Sequence, residues 1–304
     1  MAGPSFAAGT TAMPLLRLGF GAHATAVGEA FTARADDASA VYWNPAGLSG
    51  LPSREVFAEH DLYLQDVSIN RLAYAHPLGA VDGHARKAFG VSLSYLSLNG
   101  IEARSGNTAL PDGTFGASDF VGAASYSQPL NEALTAGVTG KILQQNIGSD
   151  RATGYAADFG VLQRLGRFRL GAALVNLGPA LKIANDSSPL PQSLRVGASV
   201  DYAPVIASVE TEIVRGESDP IYKVGVEYAA AAMLALRVGY FSRSAAAQNA
   251  LKGGALGAEG GGATALLGLT AGVGLRAARY AFDYAFVPYG ELGSVHKMSF
   301  SMRY

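Results

Sequence analysis

From Ser53 onward, apolar and polar side chains alternate with a period of two, as expected of strands that keep one face in an apolar medium. Tyr222, Val224, Val226 and Tyr228 share one face of such a segment, and Lys223, Gly225 and Glu227 share the other. Tyr280, Phe282, Tyr284 and Phe286 likewise oppose Ala281, Asp283 and Ala285, and Leu194, Val196, Ala198, Val200 and Tyr202 oppose Arg195, Gly197, Ser199 and Asp201. One face is apolar with aromatic ends; the other mixes charges of both signs with glycine. Between turn signals the pattern predicts fourteen strands, at 55–65, 67–78, 86–98, 117–129, 132–146, 154–165, 167–177, 192–203, 204–215, 220–230, 231–243, 264–276, 277–288 and 293–304. Very short turns at 129–132, 166, 203 and 277 alternate with long connections at 99–116, 178–191 and 244–263. An even strand count with short turns at one end and long loops at the other fits a transmembrane antiparallel β-barrel. A sandwich or propeller, the soluble alternatives, gives no reason for it.

Composition supports this reading. Only 15% of residues are charged and the mean hydropathy is +0.18, yet no run of 18 apolar residues suggests a spanning helix. The uncharged stretch Gly260–Leu275 is repeatedly interrupted by glycine. A chain that is apolar on average but never continuously so suits strands with alternating lipid-facing and lumen-facing residues, so outer-membrane lipid is the expected surroundings. Ten tyrosines, at positions 63, 74, 95, 126, 155, 222, 228, 240, 280 and 304, are expected in belts at the membrane interfaces. The absence of cysteine excludes disulfides, thiol catalysis and cysteine-ligated zinc, and the net charge of −1 argues against nucleic acid as a partner. The five histidines (His23, His60, His76, His84 and His296) are scattered and no Gly-x-Ser-x-Gly occurs, so no catalytic, cofactor or metal site is assigned. Met1–Ala12 has neither the basic region nor the apolar core of an export signal.

Residues 1–50 lack the two-residue period and form a segment separate from the barrel expected over 51–304. Within it, Ala35–Leu48 gathers Asp36 and Asp37, Trp43 (the only tryptophan) and the turn Asn44-Pro45-Ala46-Gly47. Either aspartate, or Ser39, can accept from the free N–H groups that open a short helix. Pro45 drives Asn44 out of the helical region and Gly47 permits a reversal, so that helix ends by about Tyr42. The plain reading is a capped helical turn; a metal or catalytic aspartate pair is the alternative, with no His or Glu at ligand spacing beside it. A fourteen-stranded barrel is wider than its own side chains fill. The N-terminal segment therefore suits a lumenal plug, its Glu29, Asp36, Asp37 and Asn44 bonded to inward Arg195, Lys223, Arg237, Glu210, Glu227 and Asp283, together with Lys141, Asp158 and Glu212. The last strand carries Phe300 and ends in Tyr304, which looks like the signal read by outer-membrane assembly machinery.

The A-D-D-A-S-A-x-x-W-N-P-A-G-L stretch at 35–48, N-L-G-P-A-L-K at 176–182, P-Q-S-L-R-V-G-A at 191–198, G-V-E-Y at 225–228, L-R-V-G-Y at 236–240, D-Y-A-F-V-P-Y-G-E-L-G at 283–293 and the closing H-K-M-S-F-S-M-R-Y resemble the PorV/PorQ family of outer-membrane proteins. That family is similar in architecture to the FadL fatty-acid transporters, whose N-terminal hatch also carries Asn-Pro-Ala. The chain differs from the family at His23, Val27 and Glu29, where Arg, Met and a second Gly are usual. The resemblance implies a fourteen-stranded barrel with an N-terminal hatch that acts without catalysis, binding a secreted or surface protein through its outer loops. The alternative it implies is a transporter for hydrophobic small molecules.

Overall fold

The computed structural model describes residues 11–63, 67–79, 86–104, 106, 110–183, 186–242, 268–289 and 293–304. Among these, sixteen strands form: β1 Glu55–Leu62, β2 Ser68–Pro77, β3 Ala88–Ala103, β4 Gly113–Pro129, β5 Leu134–Ile147, β6 Asp150–Leu165, β7 Phe168–Leu177, β8 Leu181–Ile183, β9 Asp186–Ser188, β10 Ser193–Tyr202, β11 Val205–Val214, β12 Ile221–Ala231, β13 Leu234–Phe241, β14 Leu269–Ala277, β15 Tyr280–Pro288 and β16 Ser294–Arg303. Fourteen of them pair antiparallel in chain order, and β1 closes on β16 from Glu55↔Arg303 to Leu62↔His296; β8 and β9 form a separate hairpin. Closure leaves the barrel without an edge over the length where neighbouring strands pair, so its backbone groups there are satisfied with no water present.

Each expected strand has a counterpart in the wall, because period-two alternation follows directly from one face in lipid and one in the lumen. Val209, Val224, Val238 and Phe282 face outward and Glu210, Lys223, Arg237 and Asp283 face inward. Two loop assignments change. Half of 99–116 continues β3 and β4, with a bulge between Leu98 and Ile101, so the connection between them shortens to 104–112. Within 178–191, β8 and β9 fold into a hairpin, while 244–263 lies outside the described residues. Nine of the ten tyrosines lie on the outer face: Tyr74, Tyr126, Tyr228, Tyr280 and Tyr304 toward the end with short turns, Tyr95, Tyr155, Tyr222 and Tyr240 toward the end with loops. Tyr63 is the exception, since it keeps the inward phase of Asp61; its hydroxyl meets that of Tyr289 at 2.7 Å.

The wall is uneven. β2 ends at Ser68↔Ser97 and β7 at Ala157↔Leu177, so β3–β6 continue past their neighbours by about six residues, roughly 20 Å of strand.

Residues 11–51 lie inside the barrel. They comprise a 3₁₀ turn at Pro14–Arg17, helices α1 Ala22–Ala26 and α2 Ala40–Trp43, and a second 3₁₀ turn at Pro45–Gly50. Among the described residues no helix is long and apolar enough to cross a membrane. Gly137, Gly171, Gly225 and Gly239 face this segment at points where a Cβ would collide with its main chain, so its backbone lies directly on the wall, and Gly160 and Gly272 leave room for the side chains of Asn44 and Ala26.

Val209 is exposed at the middle of β11, where an inserted charge meets hydrocarbon. Val209→Arg is expected to lower folding stability by about 2–4 kcal/mol in lipid vesicles, read from urea titration of the heat-modifiable band; an unchanged midpoint would mean that this position is not in the bilayer.

Candidate functional site

The plug's own short helices leave most of its backbone groups unpaired, and the inward side chains of the wall complete them. Glu210 on β11 accepts from the N–H groups of Phe31 (3.1 Å) and Thr32 (2.8 Å), and Glu59 on β1 accepts from Gly21 N–H at 2.7 Å. Arg71 on β2 donates to the carbonyls of Leu18 and Gly19, both at 2.9 Å, and Lys297 on β16 donates to Gly19 as well.

These wall residues are also ion-paired with one another. Arg71 and Lys297 bridge Glu59 and Asp61 at 3.0–3.2 Å. Lys223 meets Glu212 at 2.7 Å and Glu210 at 3.3 Å, with Glu29 of the plug at 3.7 Å, and Arg195 meets Glu212 at 3.0 Å. Arg237 joins Glu227 and Asp283, both at 2.5 Å, and Lys141 meets Asp158 at 2.7 Å. The six inward partners expected from alternation are therefore all buried in the lumen, and they fall into two clusters: Arg195, Glu210 and Lys223 in one, Glu227, Arg237 and Asp283 in the other.

The 35–48 motif sits where these clusters meet. Asp37 Oδ1 accepts from the Ser39 N–H at 2.8 Å and the Ser39 hydroxyl at 2.5 Å, so Asp37, three residues ahead of the helix, organises the start of α2. The helix runs one residue further than expected, to Trp43, before extended Asn44 ends it ahead of Pro45. Trp43 is fully buried; its Nε1 donates to Phe20 O at 2.7 Å, and its ring lies 5.1 Å from the Arg195 guanidinium and 5.5 Å from the Lys223 ammonium. Asn44 is a three-way clasp: Oδ1 accepts from Ala46 N–H, while Nδ2 donates to Thr32 O (2.9 Å) and to Val161 O in the wall (3.0 Å). Gly47 packs onto Ala35 where a side chain would not fit. Phe300 and Tyr304 lie on the outer face, Phe300 stacked on Tyr280 at 5.8 Å.

Sequence spacing put no histidine beside the aspartates; the fold does. His23 Nδ1 lies 3.3 Å from Asp37 and Nε2 3.1 Å from Glu227, across a reversal that no local spacing reveals. His23, Asp36 and Asp37 offer ligand atoms within 4.8 Å of one another, but Asp36 is bonded to Arg34 Nε at 2.9 Å, and Asp37 is already used by Ser39 and His23. With Arg34 and Arg303 on the same cluster, the electrostatics disfavour a cation. Burial alone would raise the Asp36 carboxyl, yet Arg34, with His23 and Arg169 further off, holds it well below the usual carboxylate range. His23 and Glu29, two of the positions at which the chain departs from the pattern it resembles, thus both engage wall charges.

At the loop end the lumen is closed on one side and hollow on the other. Met13, Leu15 and Leu16 of the plug pack with Leu181 and Leu190 of the hairpin region and with Val121, Leu143, Ala152 and Ala156 of the tall strands. Beside this cluster lies a cavity of about 280 Å³ lined by Tyr63, Phe241 and Tyr289 but also by Lys223, Lys297 and the Arg17–Glu217 ion pair.

A model of the family described as type IX secretion system protein PorV matches residues 5–213, more than half of the chain. No curated protein sequence matches closely enough to count as a relative. Among solved structures, the Pseudomonas putida toluene transporter TodX aligns at a TM-score of 0.64 with 14% identity, covering 94% of this chain and 99% of that one. The monoaromatic hydrocarbon channel CymD aligns at 0.64 with 13% identity over 94% and 98%, and a Pseudomonas aeruginosa FadL homologue at 0.58 with 10% identity over 90% and 96%. At these identities the likeness concerns the fold.

Two outcomes test the plug's seat. Tyr42, whose ring lies 5.1 Å from the Arg195 guanidinium, should cross-link to position 195 through a short bis-maleimide in the double variant Tyr42→Cys/Arg195→Cys, the chain having no other cysteine; a protein that never cross-links would remove the plug from this position. Gly239→Val, which drives a side chain into Gly28 of the plug, is expected to cost about 1–3 kcal/mol, seen as a lower unfolding temperature of the heat-modifiable band.

Proposed function

The chain belongs to the family of the type IX secretion system protein PorV and is a β-barrel of the bacterial outer membrane, and from that premise we propose that it works by binding a secreted or surface protein at its loop end, without catalysis. The observation that carries this reading is the filled, ion-paired lumen. A hydrophobic molecule moving through it would have to pass buried Glu59, Asp61, Arg71 and Lys297 on one side or Arg195, Glu210, Glu212 and Lys223 on the other, and dislodging either set leaves charges unpaired in a dry interior. What stands free instead is the tall wall. Beyond Ser97, the β2-facing edge of β3 has no strand partner among the described residues, so Leu98–Ala103 offers backbone donors and acceptors to which a partner strand can add.

The second reading, a conduit for hydrophobic small molecules, draws on the FadL-like fold and on the cavity at the loop end. The lining of that cavity mixes Val214, Phe241 and Val295 with Glu212, Lys223 and Lys297, so an apolar ligand there would lie beside charges.

Gentle extraction from the native outer membrane followed by mass spectrometry separates the two. The binding reading expects a stoichiometric protein that is lost when residues 99–112, the top of the β3–β4 hairpin, are deleted. Retained fatty acids or other apolar molecules without a protein partner would favour the conduit.

A further inference from the structure

The end of the barrel with short turns is ringed by arginines of two kinds. Arg167 and Arg279 point outward and lie over the belt tyrosines Tyr202 and Tyr280, at 4.9 and 5.1 Å, where membrane anchoring accounts for them. Arg34, Arg164, Arg169, Arg276 and Arg303 instead line a cavity of about 400 Å³ at the mouth of the lumen, and the one carboxylate on its lining is Asp36. Structural duties occupy part of this set. Arg34 holds Asp36 and Glu227, and Arg303 holds Glu55 at 3.2 Å and the Asp36 carbonyl at 3.1 Å. Arg169 reaches Asp201 only at 3.8 Å, and among the described residues neither Arg164 nor Arg276 pairs with a carboxylate. Arg164 is laid against Gly50 of the plug, and its Nε is buried without a hydrogen-bond partner. Arg169 is close enough to Arg164 and to Asp36 for their charges to act on one another.

Like charges gathered in a confined mouth repel, and the fold keeps them together without neutralising them. We propose that this cavity is a binding site for a phosphate group, held by Arg164, Arg169 and Arg276. Several guanidinium forks converging on one volume match an oxyanion with three or more acceptor oxygens better than a carboxylate with two. The volume leaves room for the phosphate together with the small group that carries it. Because the short turns of an outer-membrane barrel face the periplasm, the phosphate comes either from a soluble phosphate ester there or from a phospholipid headgroup reaching over the rim at Gly166. The site is separate from the loop end, so its test does not depend on what binds there.

The full-length barrel, purified in phosphate-free zwitterionic detergent, is titrated calorimetrically with inorganic phosphate and with glycerol 3-phosphate. In parallel it is placed in phosphatidylcholine nanodiscs with and without phosphatidylglycerol, and bound lipid is counted by native mass spectrometry. Saturable binding of the soluble phosphates, weakened at least tenfold in Arg164→Gln/Arg276→Gln, is the expected result for a soluble source. Retention of phosphatidylglycerol by the wild type but not by the double variant is the expected result for a lipid source. Neither substitution removes the partner of a buried carboxylate, so the variant should keep its heat-modifiable band, and Arg167→Gln serves as the outward-facing control. The absence of binding in both arms, binding that the double variant leaves unchanged, or binding of an oligoglutamate peptide with none of phosphate would each overturn the proposal.

Discussion

Most charges on the inner wall of this barrel are neutralised where they stand, because a protein plug occupies much of the lumen. That constraint organises the molecule. Fourteen strands project carboxylates, guanidiniums and ammoniums inward, and pairing across neighbouring strands satisfies only part of their hydrogen-bonding capacity. The remainder is met by the plug backbone, itself short of partners because its helices span only four or five residues. Glu210 shows the exchange in one residue: one oxygen faces Lys223 and the other receives two plug N–H groups. Neither half is satisfied without the other.

The steric side of the same fit is carried by glycine. Where the plug touches the wall through backbone atoms, the facing position is Gly137, Gly171, Gly225 or Gly239; Gly160 and Gly272 make room for the side chains of Asn44 and Ala26, and most of the plug's side-chain hydrogen bonds to the wall go to charged or hydroxylic residues. Gly28 illustrates the tightness. Its φ of +65° suits a residue without Cβ, and a Cβ there would run into the backbone of Val224 and Tyr240. The mixture of charge and glycine on the inner faces is thus one surface complementary to a backbone.

How much of this was legible in the sequence depends on the range of the interaction. The wall was legible because lipid and lumen impose a period of two that any single strand displays. Hence Arg195, Lys223, Arg237, Glu210, Glu227 and Asp283 could be assigned inward by counting. The extension of β3 and β4 was hidden by Gly100, Gly113 and Gly116, which read as loop although all three lie within the strands, Gly100 at the bulge. For the plug, Arg195 and Lys223 were expected against it, but not which of its residues each wall group would meet. Pairings such as His23 with Glu227, or Asn44 with Val161, join positions more than a hundred residues apart, and only closure of the barrel brings them together. Tyr63 escaped because belt residues and lumenal residues look alike at the last position of a strand.

The two ends of the filled lumen are unequal, and the inequality bears on function. At the loop end, an apolar cluster joins plug, hairpin and tall strands, so that side of the lumen is closed by packing and the wall above it stands clear of its neighbours. At the turn end the boundary is polar and basic, with the plug held by Arg34 and Arg303. On β4 and β5, Asp119 and Gln145 hold Leu15 and Met13, and Ser127 and Thr135 hold Ala46, so the tall strands share the seating of the plug with Glu59, Arg71, Glu210 and Lys297 elsewhere on the wall. On the far side, Thr270 of β14 accepts from the Gly28 N–H and donates to Ala26 O, and Lys223 and Glu227 of β12 meet Glu29 and Arg34 of the plug. The plug is thus bonded around the whole wall, on the tall strands and opposite them alike, and the difference between the two ends lies in what closes the lumen: apolar packing at one, arginines at the other.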